Sequence, residues 1–264
     1  MLYNSKPFLG VILKIYVISL PKSLERQQFV KSQLDSHNMP FEFISAIYGK
    51  DLTETEKEKL YDCKKAKFFS GELTPGELGC ALSHRSIYEK MIKEGTERAI
   101  ILEDDVTLRP DFFDLLQPLS ELPIKKYIIK LERCYWSIKN ENNVKYGHFT
   151  PWRRIKLCGE YFIGQPLANP TLTWGYYIDL PAAQALYSIM PRVFLVADSW
   201  WYYRKFISLR MINKPVISNN DEIFGSIIGE RDSTQITPET KITFSEKIYS
   251  LIKKIIKLFK WIFY

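Results

Sequence analysis

Three carboxylates in a row, Glu103-Asp104-Asp105, stand directly after the apolar run Ala99-Ile100-Ile101-Leu102. Like charges in a partly desolvated turn repel one another unless something cationic neutralises them. A divalent metal would do so. Hard oxygen ligands suit Mg2+ or Mn2+, ions that keep several waters and are completed by substrate phosphates, so the triplet suits a diphosphate-bearing substrate. A solvated acidic turn capping the next segment is the plainer alternative, and on the triplet alone both readings stand.

Chemistry there depends on the elements that place it. Residues 14–20 are β-branched and aromatic and stop at Pro21; Ser23-Leu24-Glu25-Arg26 then reads as a helix entry. Residues 41–47 form a second strand that Gly49 stops, completing a β-α-β unit and favouring a parallel sheet. Residues 51–67 are polar and charge-dense, a surface helix and loop. Thr74-Pro75-Gly76-Glu77 opens a helix with Thr74 as N-cap, Pro75 at its first position and Glu77 three residues on; Gly95 ends it. Residues 99–102 are then a short, buried central strand. Its carboxyl end, where the triplet sits, is where ligands collect in open α/β sheets. Residues 127–131 and 171–179 read as further strands and 181–190 as a helix.

At 264 residues and 46% hydrophobic content, the chain can bury a large core. No Gly/Ser linker divides it, so residues 1–240 read as one domain. Most of the net charge of +7 is gathered from Lys241 onward, where six lysines stand against only Glu246. In residues 245–264, Ile248, Leu251, Ile252, Ile255, Leu258, Phe259 and Ile262 recur at helical spacing opposite Lys253, Lys257 and Lys260. This basic amphipathic helix suits an anionic membrane surface, while the near-neutral body argues against nucleic acid as partner. No run reaches the roughly 20 apolar residues of a spanning helix. The 14% aromatic content suits nucleobases or sugar rings. Cys63, Cys80, Cys134 and Cys158 show no C-x-x-C pair and no His at ligand spacing, which argues against zinc and for reduced thiols in the cytoplasm.

Two linked motifs carry a resemblance. Gly76-Glu77-Leu78-Gly79-Cys80-Ala81-Leu82-Ser83-His84, followed by residues 99–106, is similar to the signature pair of glycosyltransferase family 25, which includes bacterial lipooligosaccharide β-galactosyltransferases. Val17-Ile18-Ser19-Leu20 with Arg26, Phe43-Ile44-Ser45-Ala46 with Gly49, and Thr173-Trp174-Gly175-Tyr176 extend the likeness from about residue 14 to about 200. The resemblance implies a GT-A type α/β fold with a mostly parallel, Rossmann-like sheet, a UDP-sugar donor, a divalent metal, and inversion at the anomeric carbon. It implies that Ser19, Leu20 and Arg26 hold the nucleotide and that Ala46 sits near base or ribose. Asp105 becomes the direct metal ligand, with Glu103 beside it and Asp104 as a donor contact. Ser83, His84, Trp174 and Gly175 border the donor site. Tyr48 departs from the family, which commonly has an acidic residue there; it either stacks on a base or fills the core.

An inverting transfer needs a base, commonly a carboxylate, to take the acceptor's proton. Asp198, between an apolar stretch and the pair Trp200-Trp201, resembles a family Asp and is assigned that role, against the alternative of a helix N-cap. The reading is a galactosyltransferase acting on an oligosaccharide acceptor, lipid-linked, at the cytoplasmic face of a bacterial inner membrane. Its rivals are a metal-dependent nucleotidyltransferase and a noncatalytic membrane-surface protein.

Overall fold

A computed structural model describes residues 13–132, 149–150, 153–167, 169–220 and Phe224. The chain divides into two units, Met1–Gly229 and Glu230–Tyr264, and all described residues belong to the first. The expected boundary at residue 240 and the basic helix 245–264 lie outside them.

The first unit opens with β1 (Lys14–Ser19), α1 (Leu24–Asp35) and β2 (Glu42–Ser45), the β-α-β unit expected from the sequence. The polar stretch that follows forms two short helices, α2 (Glu54–Leu60) and α3 (Cys63–Phe69). Next come α4 (Pro75–Glu94), β3 (Arg98–Glu103), β4 (Val106–Leu108), α5 (Pro110–Ser120) and β5 (Tyr127–Lys130). The remaining elements are β6 (Ile155–Lys156), β7 (Phe162–Gly164), β8 (Gly175–Asp179), α6 (Leu180–Ile189), α7 (Trp200–Tyr203), β9 (Ser208–Ile212) and β10 (Ile217–Asn219).

Eight strands make one sheet in the order β2-β1-β3-β8-β5-β9-β7-β6, and β10 pairs with β4 separately. β1 is parallel to β2 and β3, and β5 to β9; β8 runs antiparallel to both of its neighbours, β3 and β5. With β7 also reversed, six of these strands share one direction. The α/β class and mostly parallel sheet expected of a GT-A type enzyme are therefore present, with a reversed strand at the centre.

Both faces are covered, which is why the central strands read as unbroken apolar runs. Alternate residues serve opposite layers. Ile15, Val17, Ile100, Leu102, Ile129 and Tyr177 pack with Val30 and Leu34 of α1 and with Phe112, Leu115 and Leu119 of α5. Tyr16, Ile18, Ala99, Ile101, Ile128, Tyr176 and Ile178 pack with Ile87, Tyr88 and Met91 of α4 and with Ala182, Ala183 and Leu186 of α6.

α4 begins as its sequence dictates. The Thr74 hydroxyl accepts from Glu77 N, the Glu77 carboxylate accepts from Thr74 N at 2.9 Å, and Gly95 closes the helix at φ 66°. Its first turn presses on the segment after β2. A Cβ on Gly79 would lie 2.4 Å from Ile47 O, and one on Gly49 1.8 Å from Pro75 O.

Candidate functional site

The carboxyl ends of β1 and β3 and the first half of α4 enclose one pocket. Ser19, Leu20, Ala46, Ser83, His84, Glu103 and Asp104, all singled out in the sequence, line it together, as do Tyr48 and Cys80. Strand pairing is what gathers them. Ile18 stands opposite Glu103 in the parallel β1-β3 ladder, so the residues just beyond each strand meet. There the Ser19 hydroxyl donates to Asp104 Oδ2 at 2.6 Å.

Arg26, expected against the nucleotide, pairs with the carboxylates of the acidic turn. It sits in the first turn of α1 with 8% of its surface exposed, and its Nη1 donates to Asp105 Oδ2 at 2.9 Å and to Asp104 Oδ1 at 3.3 Å. A buried guanidinium needs such partners, and three carboxylates need a cation. One positive charge against three leaves the turn acidic all the same. Asp105 Oδ1 is buried and has no hydrogen-bond partner. Burial first, then the charge of Glu103, pushes the Asp105 carboxyl up to about 7 despite Arg26. Burial also raises Asp104, against the lowering effect of Ser19 and Arg26. Glu103 goes the other way: burial would raise it, but His84, Thr173 and the charge of Lys130 together hold it below the usual carboxylate range. An orphaned oxygen on a proton-retaining acid beside two other carboxylates fits a hard divalent cation.

Residues 172–174 tie this turn to Asp198. Leu172 N donates to Asp198 Oδ2 at 3.0 Å, the Thr173 hydroxyl donates to Glu103 Oε1 at 2.5 Å, and Glu103 N donates to Trp174 O at 2.9 Å. Leu172 adopts φ 69°, unusual for a branched residue, and its carbonyl accepts from Trp200 Nε1 at 2.8 Å and from Lys130 Nζ. Asp198 is half-buried and is not a helix cap; Ser199 occupies that position on α7. Trp174 and Gly175 do not line the pocket. Gly175 pairs with Leu102, and a Cβ there would meet Ile217 Cδ1 at 2.3 Å, so packing explains the glycine. The Ser83 hydroxyl is committed to backbone, accepting from Ile47 N at 2.8 Å and donating to Gly79 O at 2.7 Å.

His84 is 2% exposed, with Nδ1 2.8 Å from the Tyr176 hydroxyl, itself 2.9 Å from that of Tyr88. Its Nε2 faces Glu103 Oε1 at 3.6 Å and has no hydrogen-bond partner. Cys80 lies one helical turn earlier, and ligand atoms of Cys80, His84 and Glu103 all fall within 4.8 Å of one another. This overturns the expectation that no His stands at ligand spacing from a Cys, because positions four apart share a helix face.

Lys130 and Lys22 escaped the sequence reading. Lys130 is 1% exposed and pairs with Glu132, which is equally buried; Lys130 also lies 4.8 Å from the Trp200 ring. A lysine closing the apolar strand of residues 127–131 was the available signal, since lysine is almost never buried unpaired. Tyr48 carries the Lys22 ammonium 3.9 Å from its ring centroid, at the pocket wall.

The profile of "Glycosyltransferase family 25 (LPS biosynthesis protein)" matches residues 12–201, which contain nearly every site residue described above. The chain is 34% identical over 94 residues to "Lipooligosaccharide biosynthesis protein lic2B" of Haemophilus influenzae, covering 35% of this chain and 34% of that protein. It is 35% identical over 106 residues to a "Glycosyltransferase 25 family member" of Aedes aegypti, covering 37% and 17%. It is 30% identical over 118 residues to "Procollagen galactosyltransferase 1-B" of Xenopus laevis, covering 43% and 19%. The matched stretches span less than half of each of these relatives. Since the profile match runs through β1, the α4 motif, the acidic turn and Asp198 alike, the chain belongs to glycosyltransferase family 25.

Proposed function

We propose that the protein is an inverting, metal-dependent hexosyltransferase that moves a sugar, galactose in the first instance, from a UDP-sugar to a saccharide of lipooligosaccharide. The observation that carries this reading is the pocket in which Ser19, Leu20, Ala46, Ser83 and His84 meet Glu103 and Asp104, two members of an acidic turn whose third, Asp105, is pushed up to about 7 by burial. Asp105, through its unpartnered Oδ1, and Glu103 would hold Mn2+ or Mg2+. Such an ion, when bound, neutralises the donor diphosphate and the charge that develops as it leaves.

The chain's own residues do the rest. Ser19, Leu20 and Ala46 form the wall against which the nucleoside lies, and Tyr48 with Lys22 offers a cation-backed aromatic face to a base. Arg26 keeps Asp104 and Asp105 in place. Asp198 takes the proton from the acceptor hydroxyl as its oxygen attacks the anomeric carbon from the side opposite the departing diphosphate, which gives a β-linked product. Its Oδ2 is fixed by Leu172 N, and residues 172–174 hold it in register with Glu103.

A lipid-linked acceptor at an anionic surface is supported by an aromatic and basic patch next to Asp198. Phe68, Trp201 and Phe206 are exposed there, and the Lys205 ammonium lies 5.8 Å from the Trp201 ring. No helix among the described residues is long and apolar enough to cross a membrane. The anionic contact assigned to residues 245–264, and the cytoplasmic face of the inner membrane as location, belong to the same proposal.

The test is turnover of a panel of UDP-sugars with and without Mn2+. The expected result is metal-dependent release of UDP from one of them, abolished in Asp105→Asn; Asp198→Asn should bind the nucleotide and lose transfer. Absence of any UDP-sugar binding would refute the reading, and wild-type turnover by either variant would remove that residue's role.

A further inference from the structure

The side of the pocket away from Arg26 has a different chemistry. Along α4, Cys80 and His84 point the same way because they are four residues apart, and the β3 end brings Glu103 against them. Their ligand atoms lie within 4.8 Å of one another, close to the spread that a single tetrahedral ion would draw together.

The imidazole is already set for such a role. His84 Nδ1 is engaged by the Tyr176 hydroxyl, which Tyr88 supports in turn, and the ring is stacked near Tyr176 at 5.6 Å. That arrangement is the outer support that fixes tautomer and orientation in metal-ligating histidines. The opposite nitrogen, Nε2, is buried, aimed at Glu103 and without a hydrogen-bond partner. Nε2 faces Glu103 across 3.6 Å, beyond hydrogen-bond range, and a buried polar atom left that way is costly, so the gap between them suits an occupant. Cys80 is half-buried and lines the open pocket, which gives an ion both a route in and room for a fourth ligand from solvent.

We infer that Cys80, His84 and Glu103 form a second cation site, selective for a thiophilic divalent ion of the Zn2+ class. One thiolate, one imidazole and one carboxylate suit Zn2+ or Co2+, whereas Mg2+ and Mn2+ prefer the all-oxygen turn at Asp105. Glu103 belongs to both sets, so the two ions compete for it.

Binding needs no donor sugar, so it can be tested apart from the transferase reading. Purified full-length protein is titrated with Co2+ and followed by absorbance for thiolate-to-cobalt charge transfer, and with Zn2+ by calorimetry. The expected outcome is a charge-transfer band with one-to-one stoichiometry that Cys80→Ser removes. Zn2+ affinity should fall by at least the roughly 10–100-fold that loss of an outer-shell partner costs. Asp105→Asn should keep both signals, since its carboxylate is not a ligand here. Circular dichroism on Cys80→Ser and on a second variant, Cys80→Ala, shows that the fold is intact. Three results each overturn the site: no cobalt band in the wild type, an undiminished band in both Cys80 variants, or loss of zinc binding in Asp105→Asn.

Discussion

Asp105 retains its proton further up the pH scale than a carboxyl ordinarily does, to about 7, chiefly because it is buried. A group whose folded value is raised contributes stability below its unfolded value and loses it as pH rises through the folded one. For Asp105 in the metal-free protein, that window runs from about 4 to about 7. Asn in its place can still accept from Arg26 and cannot ionise. The melting temperature of Asp105→Asn relative to wild type should therefore rise across the window, with chelator present, and saturating Mn2+ should erase the difference. A gap that stays flat with pH would show that Asp105 is ionised throughout. At this scale the triplet was legible from its position after a buried strand, but its pairing with Arg26 was not. Nothing local to residues 24–27 says that α1 will aim its first turn across β1 at a loop near residue 105. Cys80 and His84 were legible in principle, since four-residue spacing on a helix is a ligand spacing.

Among the elements, α4 does the most to shape the pocket, and its two glycines act differently. Gly95 has open space around it and only its positive φ to protect, whereas Gly79 faces backbone atoms of Ile47 and Gly49 at 2.4 and 2.7 Å. Both Gly95→Ala and Gly79→Ala should lose on the order of 1–2 kcal/mol in urea denaturation, the first from left-handed strain, the second from overpacking. Only Gly79→Ala should also weaken nucleotide binding, because it must move the helix that carries Cys80, Ser83 and His84; equal binding by the two would show that this close approach does not set the pocket. The capping box and the glycine end of α4 were plain in the sequence because they are local. The reversal of β8 was not, since alternation along residues 175–179 reports which face each side chain meets and carries no sign of strand direction. Nor was α5 anticipated, although Pro110 opens it much as Pro75 opens α4.

At the scale of the whole molecule, β8 sits fourth in the sheet and pairs on both sides, with β3 along residues 98–102 and with β5 along residues 128–130. A chain ending at residue 170 would keep β1, β2 and β3 but leave two central strands with open apolar edges. It should unfold without a cooperative transition and aggregate, as light scattering and thermal melts would show; a sharp melt would mean the first half folds alone. The α/β alternation of that half was readable because helices and strands announce themselves by period, while closure of the sheet depends on partners far apart in sequence.

That placement puts a clock on the acidic turn. Some 70 residues separate Glu103 from Gly175, which at 5–20 residues per second is about 4 to 14 s of synthesis. Throughout that interval the strand bearing the three carboxylates lacks one neighbour, and Glu103 lacks the Trp174 carbonyl and the Thr173 hydroxyl that later hold it. The nascent chain thus passes this interval with one apolar edge of β3 unpaired. Arrival of the reversed strand gives β3 its second neighbour and brings Glu103 its partners at residues 173 and 174, while Asp198 and β9 are still to come.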